Sequence, residues 1–186
     1  MIDMKARILV AGVGNIFLGD DAFGVEVAQE MLRRPAIAGA KVVDFGIRGL
    51  DLTYPLLEDY EAAIIVDAVP RGGAPGTVYL IEPETDDPAA CAQISQEDFL
   101  IETHGMHPAK VLRLVAGMGG KMRRALVVGC EPTPFDPETD MQMELSAPVK
   151  AAIPEAISMI ESIAAEILSN QPKGTSHVVT TGADVR

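Results

Sequence analysis

Residues Ala62 to Val69, AAIIVDAV, form a continuous run of β-branched and small apolar residues broken by one charge, Asp67, near its C-terminal end. A run of this length and composition reads as a strand buried on both faces, the signature of a parallel sheet with helices on either side. Arg7 to Ala11, in the stretch RILVAG, gives a first strand of the same kind, ending in the turn Gly12-Val13-Gly14-Asn15. Asp21 to Arg34 then sets Phe23, Val27 and Met31 four residues apart, opens with acids and closes with Arg33-Arg34, which predicts a helix whose dipole is complemented at both ends before Pro35 stops it. Lys41 to Phe45 predicts a second strand, followed by the turn Gly46-Ile47-Arg48-Gly49 and a short helix through Leu57. Beyond the central run, Arg71 to Gly76 is a turn, Thr77 to Ile81 a strand, and Glu82 to Ala90 an acidic loop broken by proline. Pro108 to about Met118 reads as a helix and Ala125 to Val128 as a strand. A long last helix spans Ala147 to Leu168, with Pro154 marking either a kink or the start of its regular part. Alternating strands and helices predict one α/β domain over residues 1–168, with a mostly parallel sheet of about five strands, one of them a candidate for antiparallel pairing. Residues 169–186 are polar, rich in Thr and Gly and without apolar periodicity, and are expected to be a disordered tail.

The chain has 186 residues, a length suited to one domain, and its 48% apolar and 23% charged residues exclude general disorder. Its 27 acidic against 15 basic residues, a net charge of -12, leave no basic patch for DNA or RNA. The N-terminal residues Asp3, Lys5 and Arg7 precede an apolar run too brief for a signal peptide or a membrane span, so the expectation is a soluble cytoplasmic protein. Cys91 and Cys130 are far apart and lack CxxC spacing, which fits buried thiols in a reducing compartment better than a disulfide or a thiolate zinc site.

In open α/β sheets the ligand crevice lies beyond the C-terminal ends of the strands. Asp21 follows the first strand, Asp67 ends the third, and His104 precedes a helix, so all three can converge there. Two carboxylates and an imidazole can hold a divalent transition metal with open positions, and the set alone does not choose among nickel, zinc, manganese and iron. Each also has an ordinary reading: a helix N-terminal acid for Asp21, a turn cap for Asp67, a solvated loop residue for His104. His107, just before Pro108, reads more simply as a helix cap than as a second histidine ligand. Gly12-x-Gly14 begins a dinucleotide fingerprint, but the third glycine position holds Phe17 and the following acids would repel a pyrophosphate. Asp44, ending the second strand, could still play the ribose-binding acid. No P-loop triplet and no G-x-S-x-G elbow is present, and Cys130-Glu131-Pro132 reads as a turn that stops the last strand.

Taken together, ILVAGVGNIFLGDDAFGVEVAQEM, VVDFGIRGLDL, AAIIVDAV with PGTVYLIE, THGMHPAKVLRL and VVGCEP resemble, in order, the [NiFe]-hydrogenase maturation proteases. The resemblance covers nearly everything up to about residue 168. A spore-protein protease family shares the fold, but the GVGN and THGMH blocks fit the hydrogenase branch better. The resemblance implies a three-layer α/β/α sandwich, an endopeptidase acting as a monomer, and a substrate that is the nickel-loaded precursor of a hydrogenase large subunit. A short C-terminal extension would be removed a few residues beyond the last metal-binding Cys-x-x-Cys. It places metal contacts on Asp21, Asp67 and His104, with nickel supplied by the substrate, replaceable by another divalent metal, and no nucleotide. The attacking group would be water, polarised by the metal or activated by a carboxylate, for which Asp44 is a further candidate. Ala22 stands where many members have Gly, and GIRG where others have a Gly-Gly-Thr type turn. The alternatives carried forward are a nickel-binding maturation chaperone that does not cut and a nucleotide-binding α/β enzyme.

Overall fold

A computed structural model describes residues 6–58, 60–82, 111, 115, 117–119, 124–134 and 144–170. The described elements are β1 (Ile8–Val13), α1 (Phe23–Arg33), β2 (Ala40–Gly46), α2 (Thr53–Leu56), β3 (Ala62–Ala68), β4 (Val78–Ile81), β5 (Ala125–Cys130) and α3 (Ala147–Ser169). Short 3-10 turns, Gly19–Ala22 and Gly49–Leu52, lead into α1 and α2. The expected helix from Asp21 therefore begins as a 3-10 turn and becomes α-helical only at Phe23.

The five strands lie in the order β2-β1-β3-β5-β4. Neighbours are parallel except β4, which runs antiparallel to β5, as the sequence allowed for one strand. Alternation along the central strands divides the apolar core between the two faces. Ile8, Val10, Ile64, Val66, Leu126 and Val128 meet α1 and α3 on one face. Leu9, Ala11, Ala63, Ile65 and Val127 meet Leu52, Leu56, Tyr60, Val111 and Val115 on the other. The result is the expected three-layer sandwich, and Phe23, Val27 and Met31 face the first of these cores as their spacing predicted. Val111, Val115 and Gly117 are helical, in keeping with the helix expected from Pro108; the rest of that helix lies outside the described residues.

Helix α3 continues through Pro154 to Ser169. Its last turn is met by Arg7, whose Nη1 donates to the Leu168 carbonyl at 3.1 Å and whose Nε donates to Glu61 Oε1 at 2.7 Å. A cation at a helix C-terminus satisfies carbonyls that have no partner in the helix and complements the dipole there. Among the described residues no helix is long and apolar enough to cross a membrane. Of the tail anticipated over 169–186, Ser169 is instead the last residue of α3, and residues from 171 on lie outside the described residues.

Two glycines bring α1 onto the sheet. A Cβ on Gly24 would run into the carbonyl oxygens of Val66 and Val13, and one on Gly12 would strike the Gly24 carbonyl and lie 2.5 Å from the Ala28 Cβ. Gly24→Ala is expected to lower stability by about 3 kcal/mol or more, since backbone atoms cannot yield as a flexible side chain would, and denaturant unfolding measures the loss.

Candidate functional site

The 14–22 segment links β1 to α1 at the C-terminal edge of the sheet. Gly14, with φ near +140°, carries the chain out of β1 and leaves room for the Asp21 backbone, which a Cβ at Gly14 would strike. Asn15 caps the turn through Oδ1, which accepts from Phe17 N at 3.0 Å, while Asn15 N donates to Asp21 Oδ2 at 2.8 Å. Asp67 is the penultimate residue of β3, level with Gly129 of β5, and Ala68 N donates to its Oδ1 at 2.9 Å.

Asp21, in the 3-10 turn, and Asp67, near the end of β3, are thus close enough for the charge of one to act on the other. Burial pushes the Asp67 carboxyl well above the usual carboxylate range, the charge of Asp21 pushes it further, and the single bond from Ala68 opposes only in part. Burial also raises Asp21, against the bond from Asn15. Among the described residues, one oxygen of each carboxylate is held by a main-chain N–H and the other accepts nothing. Two acids in this condition seek a shared proton or a cation.

The neighbouring acid behaves in the opposite way. Asp20 is buried and accepts from Thr133 N at 2.8 Å, Thr133 Oγ1 at 2.6 Å, Ser146 N at 2.7 Å and Ser146 Oγ at 2.9 Å. Burial alone would raise its pKa, but these bonds from Thr133 and Ser146 together hold it below the usual range. It clasps the segment carrying Asp21 to the exit of β5 and the start of α3. Ser146, at the N-cap of α3, makes no side-chain cap bond because its hydroxyl is spent on Asp20.

A crevice of about 660 Å³ opens here, lined among others by Leu18, Asp21, Gly72, Gly73, Glu131 and Thr133. Its mouth is apolar on the 16–18 side, where Ile16, Phe17 and Leu18 are exposed in succession. Asp67 is not itself a lining residue, although its neighbour Ala68 is, and neither is Asp44; Gly46 N donates to Asp44 Oδ1 at 2.9 Å and Gln29 Nε2 to its Oδ2 at 3.1 Å, so Asp44 secures the β2 exit. His104 and His107 lie outside the described residues, as does Cys91. Among the described residues no three His, Cys, Asp or Glu side chains gather into a metal-holding group.

A family model described as hydrogenase maturation protease matches residues 25–163. The chain belongs to the hydrogenase maturation protease family. The hydrogenase expression/formation protein HupD of Rhodobacter capsulatus is 30% identical over 163 residues, covering 87% of this chain and 74% of its own. The hydrogenase 2 maturation protease of Escherichia coli is 26% identical, covering 89% and 97%. Among solved structures, the hydrogenase maturating endopeptidase HybD from E. coli superposes with a TM-score of 0.66 at 28% identity, covering 87% of this chain and 93% of its own. This membership places the mixed five-stranded sheet and its edge crevice within a family of α/β endopeptidases.

Asp20 and Glu131 carry structural charges that the sequence reading did not single out. Asp20 was visible only as half of a double acid, and Glu131 only as part of a turn, although a carboxylate next to a buried strand end must find donors or stay outside.

Asp67→Asn keeps an acceptor for Ala68 N and removes the repulsion with Asp21. A folded-state pKa above the unfolded one makes the ionised carboxylate a cost that sets in as pH rises above the ordinary carboxylate range of about 4 and levels off above the folded pKa. The variant is therefore expected to melt a few degrees higher than wild type at neutral pH, with the advantage vanishing towards pH 3 to 4 in a calorimetric pH series (roughly the unfolded pKa). Asp20→Ala is expected to cost about 2–4 kcal/mol, because it strands buried donors from Thr133 and Ser146. Asp20 contributes fully above the ordinary range and loses its contribution as pH falls through its lowered folded pKa, so the gap to wild type narrows in acid.

Proposed function

We propose that this chain is an endopeptidase that removes the C-terminal extension of the nickel-loaded precursor of a [NiFe]-hydrogenase large subunit. The observation that carries the reading is the half-buried Asp21–Asp67 pair, each with one oxygen unclaimed among the described residues and each raised above its ordinary pKa, at the edge of a crevice large enough for a peptide segment. The family match and the E. coli relative named hydrogenase 2 maturation protease support the reaction class and the partner.

The nickel belongs to the substrate in this reading. Asp21, Asp67 and His104 receive it, and a divalent ion between two mutually repelling carboxylates takes the place of the proton they would otherwise share. Hard carboxylate oxygens and one imidazole bind nickel without stripping it from thiolate ligands, which suits reading a metal rather than keeping it. No resident metal and no nucleotide is assigned, and another divalent metal in the precursor can substitute for nickel. We place this activity in the cytoplasm and in the monomer, as the sequence resemblance implies.

Docking the metal aligns the peptide bond a few residues beyond it with the crevice. A water oxygen then attacks the scissile carbonyl carbon, its proton passes to a carboxylate, and the C–N bond breaks as the leaving amine takes up a proton. Either the substrate's metal polarises the water or a free carboxylate oxygen takes its proton; with Asp44 engaged by Gly46 and Gln29, Asp21 and Asp67 are the carboxylates assigned to this task.

Incubation with purified nickel-loaded precursor, followed by intact mass measurement, tests the reading. Wild type is expected to remove the tail, and Asp67→Asn and His104→Ala to remain folded while losing at least about 100-fold in rate, the scale of a lost general base or ligand. Normal trimming by both variants would sink the assignment, and nickel-dependent binding without loss of mass would make the protein a chaperone.

A further inference from the structure

The crevice wall formed by residues 70–76 contributes Pro70, Gly72, Gly73 and Pro75. These four offer a peptide main-chain and ring surface, while the exposed Arg71 of the same segment is not among the lining residues. One residue fixes this wall at both ends. The Glu131 carboxylate, buried at 5% exposure, accepts from Arg71 N at 2.8 Å and Gly72 N at 3.0 Å, while Tyr79 Oη donates to it at 2.8 Å. The Glu131 main chain holds the far end: its carbonyl accepts from Gly76 N at 2.8 Å, and its N–H donates to the Thr77 carbonyl at 2.9 Å. Burial pushes the Glu131 carboxyl up, but the donors from Arg71, Tyr79, Gly72 and Gly73 outweigh it and hold the group ionised. The Arg71 guanidinium lies 5.8 Å from the centre of the Tyr79 ring, adding a cation over an aromatic face.

The loop has no slack. Gly72 and Gly76 have φ of +81° and +85°, a region that side-chain-bearing residues avoid. A Cβ on Gly73 would collide with the Tyr79 hydroxyl, and one on Gly76 would lie 2.6 Å from the Pro148 carbonyl oxygen. Successive N–H groups of a turn form a nest for an anion, and here the anion is internal. The wall is therefore set before substrate arrives.

We propose that Glu131 is a positioning residue, which through the 70–76 wall seats the precursor segment beside Asp21 and Asp67 and so governs substrate affinity rather than the chemical step. The segment it fits is an extended polypeptide with small or apolar residues, since the residues of that wall that line the crevice are Pro70, Gly72, Gly73 and Pro75. This rests on the peptidase reading above.

The test measures precursor binding by calorimetry, KM and kcat for trimming, and melting temperature. Glu131→Gln replaces an acceptor with an amide that faces the loop donors. It is expected to weaken binding and raise KM about tenfold, with kcat within about threefold of wild type. Gly73→Ala is expected to raise KM similarly, Tyr79→Phe by less, and the double variant Gly73→Ala/Tyr79→Phe to recover most of the Gly73→Ala loss, because the colliding hydroxyl is gone. Kinetics are read well below every variant's melting temperature, so that all are fully folded and the recovery in KM reports on the wall and not on stability. An unchanged KM in Glu131→Gln, a loss confined to kcat, or additive effects in the Gly73 and Tyr79 cycle would overturn the proposal. If Glu131→Gln fails to fold, the cycle decides alone. Should wild type bind precursor without trimming it, the peptidase reading falls while the binding series still decides the role of Glu131; absence of both binding and trimming overturns both.

Discussion

The structure turns on how closely the first turn of α1 approaches the backbone of β1 and β3. Gly12 and Gly24 permit that approach, and any side chain at either position would collide with main-chain or Ala28 atoms. Because α1 starts so near the sheet, the 3-10 turn before it lies at the end of β3, and Asp21 meets Asp67 there. The two core layers depend on the same approach, since α1 packs with α3 over β1 and β3 to form the larger apolar cluster. The tight entrance to the helix and the charged pair are thus two results of one contact.

The edge of the sheet sorts its carboxylates by how well they are hydrogen-bonded. Asp20 and Glu131 are the most buried, yet each is supplied with several donors and held ionised below its ordinary range. Among the described residues Asp21 and Asp67 have a single main-chain donor each, and both are pushed upwards. Removing water from a carboxylate costs free energy unless donors replace it, so the satisfied pair stabilises the framework while the unsatisfied pair stores a repulsion that a cation can relieve. The two kinds sit side by side, with Asp20 adjoining Asp21 in the chain and Glu131 lining the same crevice. This arrangement places the cost of the site next to the bonds that offset it.

Much of the architecture was legible in local patterns. The apolar runs at Ile8 to Ala11 and Ala62 to Val66, the four-residue spacing of Phe23, Val27 and Met31, and the position of Asp67 at a strand end were enough for the layers, the mostly parallel sheet and the crevice edge, whereas the strand order came from the structure. Pro154 could be read two ways, and the helix simply runs through it because packing of Ile153, Ile157 and Ile160 holds that segment against the core. The clasp of Asp20 and the anchoring of the 70–76 loop by Glu131 were not legible, since each joins residues about 50 to more than 100 positions apart and no local period encodes such a pairing. Asp44 shows the converse: its place at a strand end suggested the crevice, yet its partners Gly46 and Gln29 keep both its oxygens occupied.

Cys130, the last residue of β5, is next to Glu131 in the chain and wholly buried. Burial, reinforced by the charges of Asp20 and Glu131, pushes its thiol up to about 12. A thiolate is a soft ligand that competes strongly for nickel, whereas a thiol that keeps its proton does not. The same carboxylates that build the crevice therefore silence the sulfur behind it. Under the proposed function, a metal presented on a partner protein would meet oxygen donors along this edge and no competing thiolate, and so would be inspected and released instead of being captured.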